Sequence, residues 1–355
     1  MRNAQPQIGW LCSFVPEEII MAAGLLPLRL SGGGESTAVA DAYIYSNLCP
    51  YVKSILALGL NGKAKQLDGL VFVRSCDGMH RMCDVWRSYV GTRFTYMLEV
   101  PKNRDEAAIE YFASQLRKFA SALGQEFGVE ITPAQLNQAI KTANEGHRLM
   151  QDIYDLQRNV PLPLLGSEVF QLGLEGMTTD KKTSIAKLKK YYSNAKSGVK
   201  QRGKKGKARV LISGNVVDRP ELFNLIEAAG ADVAAADLCT AMRYFDHPVE
   251  ENSDDPYLAL AQRYLGKLRC ARMTGLAEHL VELKELIQTY AVDGVVYTSV
   301  KFCDQHLYDA PYFTEKLKDD GIPVLFLEND YIWASTGQLK TRVEAFVEML
   351  ENRRR

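Results

Sequence analysis

The chain has 355 residues, 46% of them hydrophobic and 24% charged, the balance of a globular protein with room for two cores. Its 43 basic and 43 acidic residues cancel, which removes any global pull toward nucleic acid or an anionic membrane. No apolar run approaches the ~18 residues of a membrane span. The opening segment MRNAQPQIGWLCSFVPEEII is broken by Pro16, Glu17 and Glu18 and has no small-residue cleavage site, so a cytoplasmic location is expected.

Taken in order, the first part reads as α/β. IGWLCS (8–13) is predicted as a strand, and PEEIIMAAG (16–24) as a helix opened by Pro16 and closed by Gly24. LPLRL (26–30), GLVFVRS (69–75) and TYMLEV (95–100) are further strands. The run at 69–75 is continuously apolar up to Arg74, as a strand buried on both faces of a parallel sheet requires. Between about 103 and 200 the strand signals vanish. Residues 103–127 and 132–156 are long and helix-periodic, and 184–209 ends in a basic, glycine-containing run expected to be a solvated linker. Alternation restarts with the strands ARVLISG (208–214), DVAAADL (232–238), DGVVYTSV (293–300) and IPVLFLEN (322–329), separated by helical stretches. The expected fold is two Rossmann/flavodoxin-like parallel-sheet domains, 1–102 and 207–355, bridged by a helical segment, 103–206. The halves read as loose echoes of each other.

The seven cysteines carry the chemistry. An odd number in a reducing compartment argues against a disulfide frame. Cys12, Cys76, Cys239 and Cys303 fall at or just beyond the ends of predicted strands, where open α/β sheets bind ligands. Cys49 precedes Pro50 at a helix start, where free backbone N–H groups favour a thiolate, and Cys270 lies between Arg269 and Arg272. Cys83, inside MHRMCDVWR, reads as a buried helix residue. A buried small hydrophobe is the commoner role for any one of these cysteines. Six at strand ends and helix starts point instead to a metal or cluster site built from scattered thiolates. The chain has no C-x2-4-C pair of the zinc type.

GWLCSFVPEEIIMAAGLLPLRL, SNLCPYVKS, SCDGMHR, DLCTAMRY and DGVVYTSVKFCDQH followed by PVLFLENDY together resemble the superfamily of 2-hydroxyacyl-CoA dehydratase D-components and benzoyl-CoA reductases. The resemblance runs over nearly the whole chain. It implies two α/β domains with an iron–sulfur cluster in the cleft between them. Dehydratase subunits of this superfamily hold one [4Fe–4S] cluster on three cysteines, matched here by Cys49, Cys76 and Cys303. Three more, Cys12, Cys239 and Cys270, make the chain similar to the double-cubane cluster proteins. That likeness implies an [8Fe–9S] cofactor with three thiolates on each cubane.

It also implies low-potential electrons supplied by a separate ATP-hydrolysing [4Fe–4S] activator, a small substrate with a multiple bond (acetylene-like), and a homodimer. The chain itself has no G-x-x-x-x-G-K-S/T phosphate loop: GLNGKAKQ (59–66) lacks the spacing, and SGGGEST (31–37) reads as a plain loop. His80 and His306 follow Cys76 and Cys303 closely and are candidate proton donors. Asp77 and Asp304 read as caps of the helices that follow. The alternatives are a single-[4Fe–4S] subunit of a 2-hydroxyacyl-CoA dehydratase or benzoyl-CoA reductase, a non-catalytic electron carrier, and a zinc-stabilised scaffold.

Overall fold

All eight predicted strands form, and they fall into two four-stranded sheets in which every pairing is parallel. The first holds β1 (Gln7–Trp10), β2 (Leu26–Arg29), β3 (Gly69–Val73) and β4 (Phe94–Leu98) in the order β2-β1-β3-β4. The second holds β5 (Arg209–Gly214), β6 (Asp232–Asp237), β7 (Gly294–Val300) and β8 (Val324–Asn329) in the order β6-β5-β7-β8. The two orders are the same once the second half is renumbered, so the echo between halves is a repeat of topology. This computed structural model describes residues 5–197, 206–267, 269–331 and 336–354. Most of the basic run near residue 200 lies outside that range.

In the first half the crossovers are α1 (Glu17–Ala22), α2 (Pro50–Leu60) and α3 (Asp77–Val85), which passes into a π-helical turn at Trp86–Val90. Four helices follow: α4 (Glu106–Phe127), α5 (Pro133–Leu156), α6 (Gly166–Thr178) and α7 (Lys181–Lys196). The second half carries α8 (Glu221–Ala228), α9 (Met242–Phe245), α10 (Pro256–Leu265), α11 (Leu276–Thr289), α12 (Asp304–Asp319) and α13 (Thr336–Arg354). None of the described helices is long and apolar enough to cross a membrane.

The long helices begin and end where their sequences dictate. Asp105 caps α4 through a 2.8 Å bond from the Ala108 N–H, and Gly128 closes it in the left-handed conformation. Thr132 and Gln135 form a reciprocal capping box on α5, with Pro133 in its first turn. These helices join the two halves: α4 packs on α10, and α5 on α1 and α7. One continuous core therefore contains Ile8 and Trp10 from the first sheet, Phe112 and Phe119 from α4, and Leu211 and Tyr297 from the second sheet. Fully burying each such large apolar side chain contributes about 1.5–3 kcal/mol.

Some strands stop one to three residues short of the sequence reading at their C-terminal ends. Cys12 leaves the sheet because its carbonyl accepts the Val15 N–H at 3.0 Å, a turn that leads into α1. Gly214 ends β5 at φ +130°, and a Cβ built there would overlap the Thr298 carbonyl of the adjacent strand. Gly214→Ala should therefore destabilise the chain by about 3 kcal/mol, from backbone strain and overpacking together. Urea unfolding checks this, and a loss below about 1 kcal/mol would contradict the clash.

Candidate functional site

In this strand order the direction of winding reverses between β1 and β3, and again between β5 and β7. Such switch points open a crevice beyond the carboxyl ends of the strands. Cys12 follows β1, Cys76 follows β3 and Cys303 follows β7, so cysteines occupy the crevices of both sheets. The two crevices face each other. Arg29 at the end of β2 donates to the Cys239 carbonyl at 2.6 Å, Ser31 Oγ to Asp218 at 2.6 Å and Gln305 Nε2 to the Ser75 carbonyl at 2.9 Å. The SGGGEST loop joins this seam: the Gly32 N–H donates to Tyr331 Oη at 3.0 Å.

The structure brings six cysteines together in two groups. Burial pushes the Cys49 thiol up to about 12, with Cys303 and Cys76 adding to the rise. Burial likewise pushes Cys12 up to about 12, helped by Cys270 and Cys239. Cys303 rises to about 11 through burial, despite the nearby His306 N–H and Asn215 side chain, which favour the thiolate. Its neighbours Cys76 and Cys270 raise it further, and so link the two groups. One group is thus Cys49, Cys76 and Cys303, and the other is Cys12, Cys239 and Cys270. Each half of the chain gives two cysteines to one group and one to the other.

Local structure explains the positions. Cys49, Cys76 and Cys303 are the N-cap residues of α2, α3 and α12. The Met79 N–H donates to Cys76 Sγ at 3.4 Å. The expectation that Asp77 and Asp304 cap these helices is corrected: each lies one residue inside, and Asp77 pairs with Arg81 one turn along. Cys49 stands at a helix start as expected, with no side-chain cap bond, and desolvation outweighs the pull of the nearby N–H groups so that its thiol is raised. Cys270 is corrected in the same way. Burial raises its thiol, and the first arginine opposing that rise is Arg243 on α9, followed by Arg272. Arg269 turns away to Asp237, Asp246 and Glu282. Cys83 is fully buried among apolar side chains, as its helix position predicts.

Sequence reading missed three buried cations around the thiols, Arg29, Arg243 and Lys267, and the contacts of a fourth, Arg272. Arg29 Nη2 donates to Cys239 Sγ at 3.4 Å, and its guanidinium lies 5.1 Å from the Trp10 ring centre. Arg272 donates to the Pro101 carbonyl at 2.7 Å and also to the Val100 carbonyl. Asp237 holds Arg243 through two 2.8 Å bonds. For Arg29 the available signal was a charged residue ending an otherwise apolar strand, LPLR, since such residues are rarely buried without a partner; Arg243 and Lys267 lie outside the strands.

The two histidines sit differently. His306 is buried with Nδ1 3.0 Å from Tyr297 Oη, and burial together with Arg243 holds it well below its usual pKa, as the neutral imidazole. His80 is half-buried in the first turn of α3. Among the described residues, no three His, Cys, Asp or Glu side chains stand close enough to ligate a single metal ion.

The family model described as "2-hydroxyglutaryl-CoA dehydratase, D-component" matches residues 12–350. A benzoyl-CoA reductase component from Thauera aromatica is 28% identical to the chain, with 90% of this chain and 84% of that protein covered. A putative dehydratase subunit, YjiM, of Escherichia coli K12 is 28% identical over 97% of this chain and 91% of its own length. The (R)-phenyllactyl-CoA dehydratase beta subunit of Clostridium sporogenes is 24% identical, covering 98% and 93%. With the match spanning nearly all of both sheets and all six clustered cysteines, the chain belongs to the 2-hydroxyglutaryl-CoA dehydratase D-component family.

Proposed function

We propose that this chain is an iron–sulfur component of an electron-fed reductase or dehydratase system, with Cys49, Cys76 and Cys303 holding a cubane. The observation that carries the reading is the convergence of thiols from both halves at facing switch points. The residues fit such a group. Thiols raised by burial are costly to ionise alone, and a bound cation reverses that cost. A multi-iron cluster takes its thiolates on separate irons, which suits cysteines too far apart for one ion. When bound, an iron–sulfur cluster supplies one-electron chemistry at low potential.

The second group, Cys12, Cys239 and Cys270, supports the finer reading: a double-cubane [8Fe–9S] reductase acting on a small molecule with a multiple bond. In it the chain's residues have defined tasks. Six cysteines bind, and the buried cations Arg29, Arg243, Arg272 and Lys267 offset thiolate charge. His306 and His80 are the candidate proton donors; the Tyr297 bond fixes the His306 ring, and because burial and Arg243 hold that ring neutral, it donates only after first taking up a proton. The resemblance adds a separate ATP-hydrolysing [4Fe–4S] activator, a homodimeric assembly and a cytoplasmic setting.

The names of the relatives favour a second reading. They are subunits of acyl-CoA dehydratases and of a benzoyl-CoA reductase, which suggests a partner subunit and one [4Fe–4S] cluster here. Turnover separates the two. The chain is mixed, without oxygen, with an ATP-dependent activator and either acetylene or a 2-hydroxyacyl-CoA. Acetylene reduction by the chain with activator alone fits the double-cubane reading. Turnover of the thioester only after adding another subunit fits the second. A chain that exchanges electrons but turns over neither substrate is a carrier, and that result would overturn both.

A further inference from the structure

A corner of the molecule behind Cys12 gathers ionisable side chains that the cysteine site does not use. Glu17 and Glu18 open α1, and both are fully buried. Glu17 Oε1 lies 2.6 Å from Lys181 Nζ at the start of α7 and 3.9 Å from His147 Nε2 on α5. Glu18 Oε2 accepts a 2.8 Å hydrogen bond from Tyr264 Oη on α10. Arg263 donates to the Tyr244 carbonyl on α9 at 2.6 Å and stands 3.4 Å from His147 Nδ1. Lys267 Nζ lies over the Tyr264 ring at 4.5 Å and donates to the Ser13 carbonyl, next to Cys12, at 2.7 Å.

Several buried polar atoms in this corner have no hydrogen-bond partner among the described residues: Glu17 Oε2, Glu18 Oε1, His147 Nε2, Tyr244 Oη and Arg263 Nη1. Each such atom costs about 1–3 kcal/mol, so a corner with this many is expensive as a purely structural device. The corner also has an outlet. A cavity of about 520 Å³ lined by Met21, Ala22, Ala139 and Lys181 reaches the surface beside Glu17's partner. Lys181 thus joins the cavity to Glu17, and Tyr264 and Lys267 lie between Glu18 and the Ser13 carbonyl beside Cys12.

We propose that Glu17 and Glu18 form a proton relay from this cavity to the Cys12 and Cys270 side of the cysteine site. The inference deepens the proposed function, since reduction of a multiple bond takes up one proton per electron. Only O–H and N–H bonds change. A proton from solvent enters at Glu17, passes between the two carboxyls, and for each proton that enters one leaves past Tyr264 and Lys267. No electron travels this way. Burial raises the Glu18 carboxyl, with Glu17 adding to it against Arg263, so that one of the pair is suited to hold a proton.

The test is infrared difference spectroscopy of the purified chain, with and without iron, on transfer from H2O to D2O. A protonated carboxyl gives a C=O band that shifts when its proton exchanges. The relay predicts such a band, its absence in Glu18→Gln, and exchange within the mixing time. Glu17→Gln should keep the band but slow its exchange at least about tenfold, and slow turnover of iron-loaded protein by about tenfold or more with iron content unchanged. No band, or exchange as slow in the unsubstituted chain as that of core amides, would overturn the relay. If Glu18→Gln does not fold, exchange in Glu17→Gln decides alone. The infrared readout needs no iron, so a chain that fails to bind iron but shows fast exchange would overturn the cluster reading and leave the proton path standing.

Discussion

Cys270→Ala will retain roughly half the iron of the unsubstituted chain, while Cys83→Ala will retain all of it. Cys270 comes from the loop before α11, and its neighbours in the site are Cys239 and Cys12. Removing it takes one of three thiolates from the second group and leaves Cys49, Cys76 and Cys303 intact. Cys83 has the same chemistry but sits in the apolar core of the first half, so its loss costs packing only. Iron assay with thermal unfolding separates the two effects. Unchanged iron in Cys270→Ala would reject the double cubane and leave the single-cluster subunit. Cys303→Ala should cost more, because Cys303 is the member of the first group that also faces Cys270.

Asp237→Ala will destabilise the chain by about 3–5 kcal/mol, the usual cost of removing one partner from a buried charge pair. The carboxylate is fully buried. It accepts from Arg243 twice, from Arg269 Nε and from Ser213 Oγ, all at 2.8 Å, with His279 Nε2 3.7 Å away. Burial alone would raise its pKa; Arg243 first, then His279 and Arg269, outweigh burial and hold it well below the carboxylate range. A lowered folded pKa contributes stability that is complete above the unfolded value of about 4 and is lost as pH falls through the folded one. Denaturant unfolding at pH 7 should therefore show the full loss, narrowing in strong acid. Arg243 also faces Cys270 and Cys239, so the variant should bind less iron in the second group. A loss under about 1 kcal/mol at pH 7 would mean that Asp237 is not the strut of this site.

The fold was largely legible because each strand carries its own signal. GLVFV and GVVYTSV are apolar along most or all of their length, and both are buried along their whole length in parallel sheets. The exact repeat of strand order was not legible, since the crossovers of the two halves differ in length and composition. The cysteine site was half-visible. Cys12, Cys76, Cys239 and Cys303 were placed by strand ends, and Cys49 by Pro50. Which thiol faces which is set by contacts between residues far apart in sequence, such as Arg29 with Cys239. Glu17 and Glu18 misled in the opposite direction. Two acids in a first helical turn ordinarily satisfy the helix dipole in water, whereas here α5, α7 and α10 cover them.

The most direct test of the cysteine-site reading is the iron and acid-labile sulfide bound per chain after purification without oxygen. Two linked cubanes predict about eight irons per chain. About four would assign the chain a single cluster on Cys49, Cys76 and Cys303. Zinc, or a folded chain that binds no iron under these conditions, would contradict the iron–sulfur reading altogether.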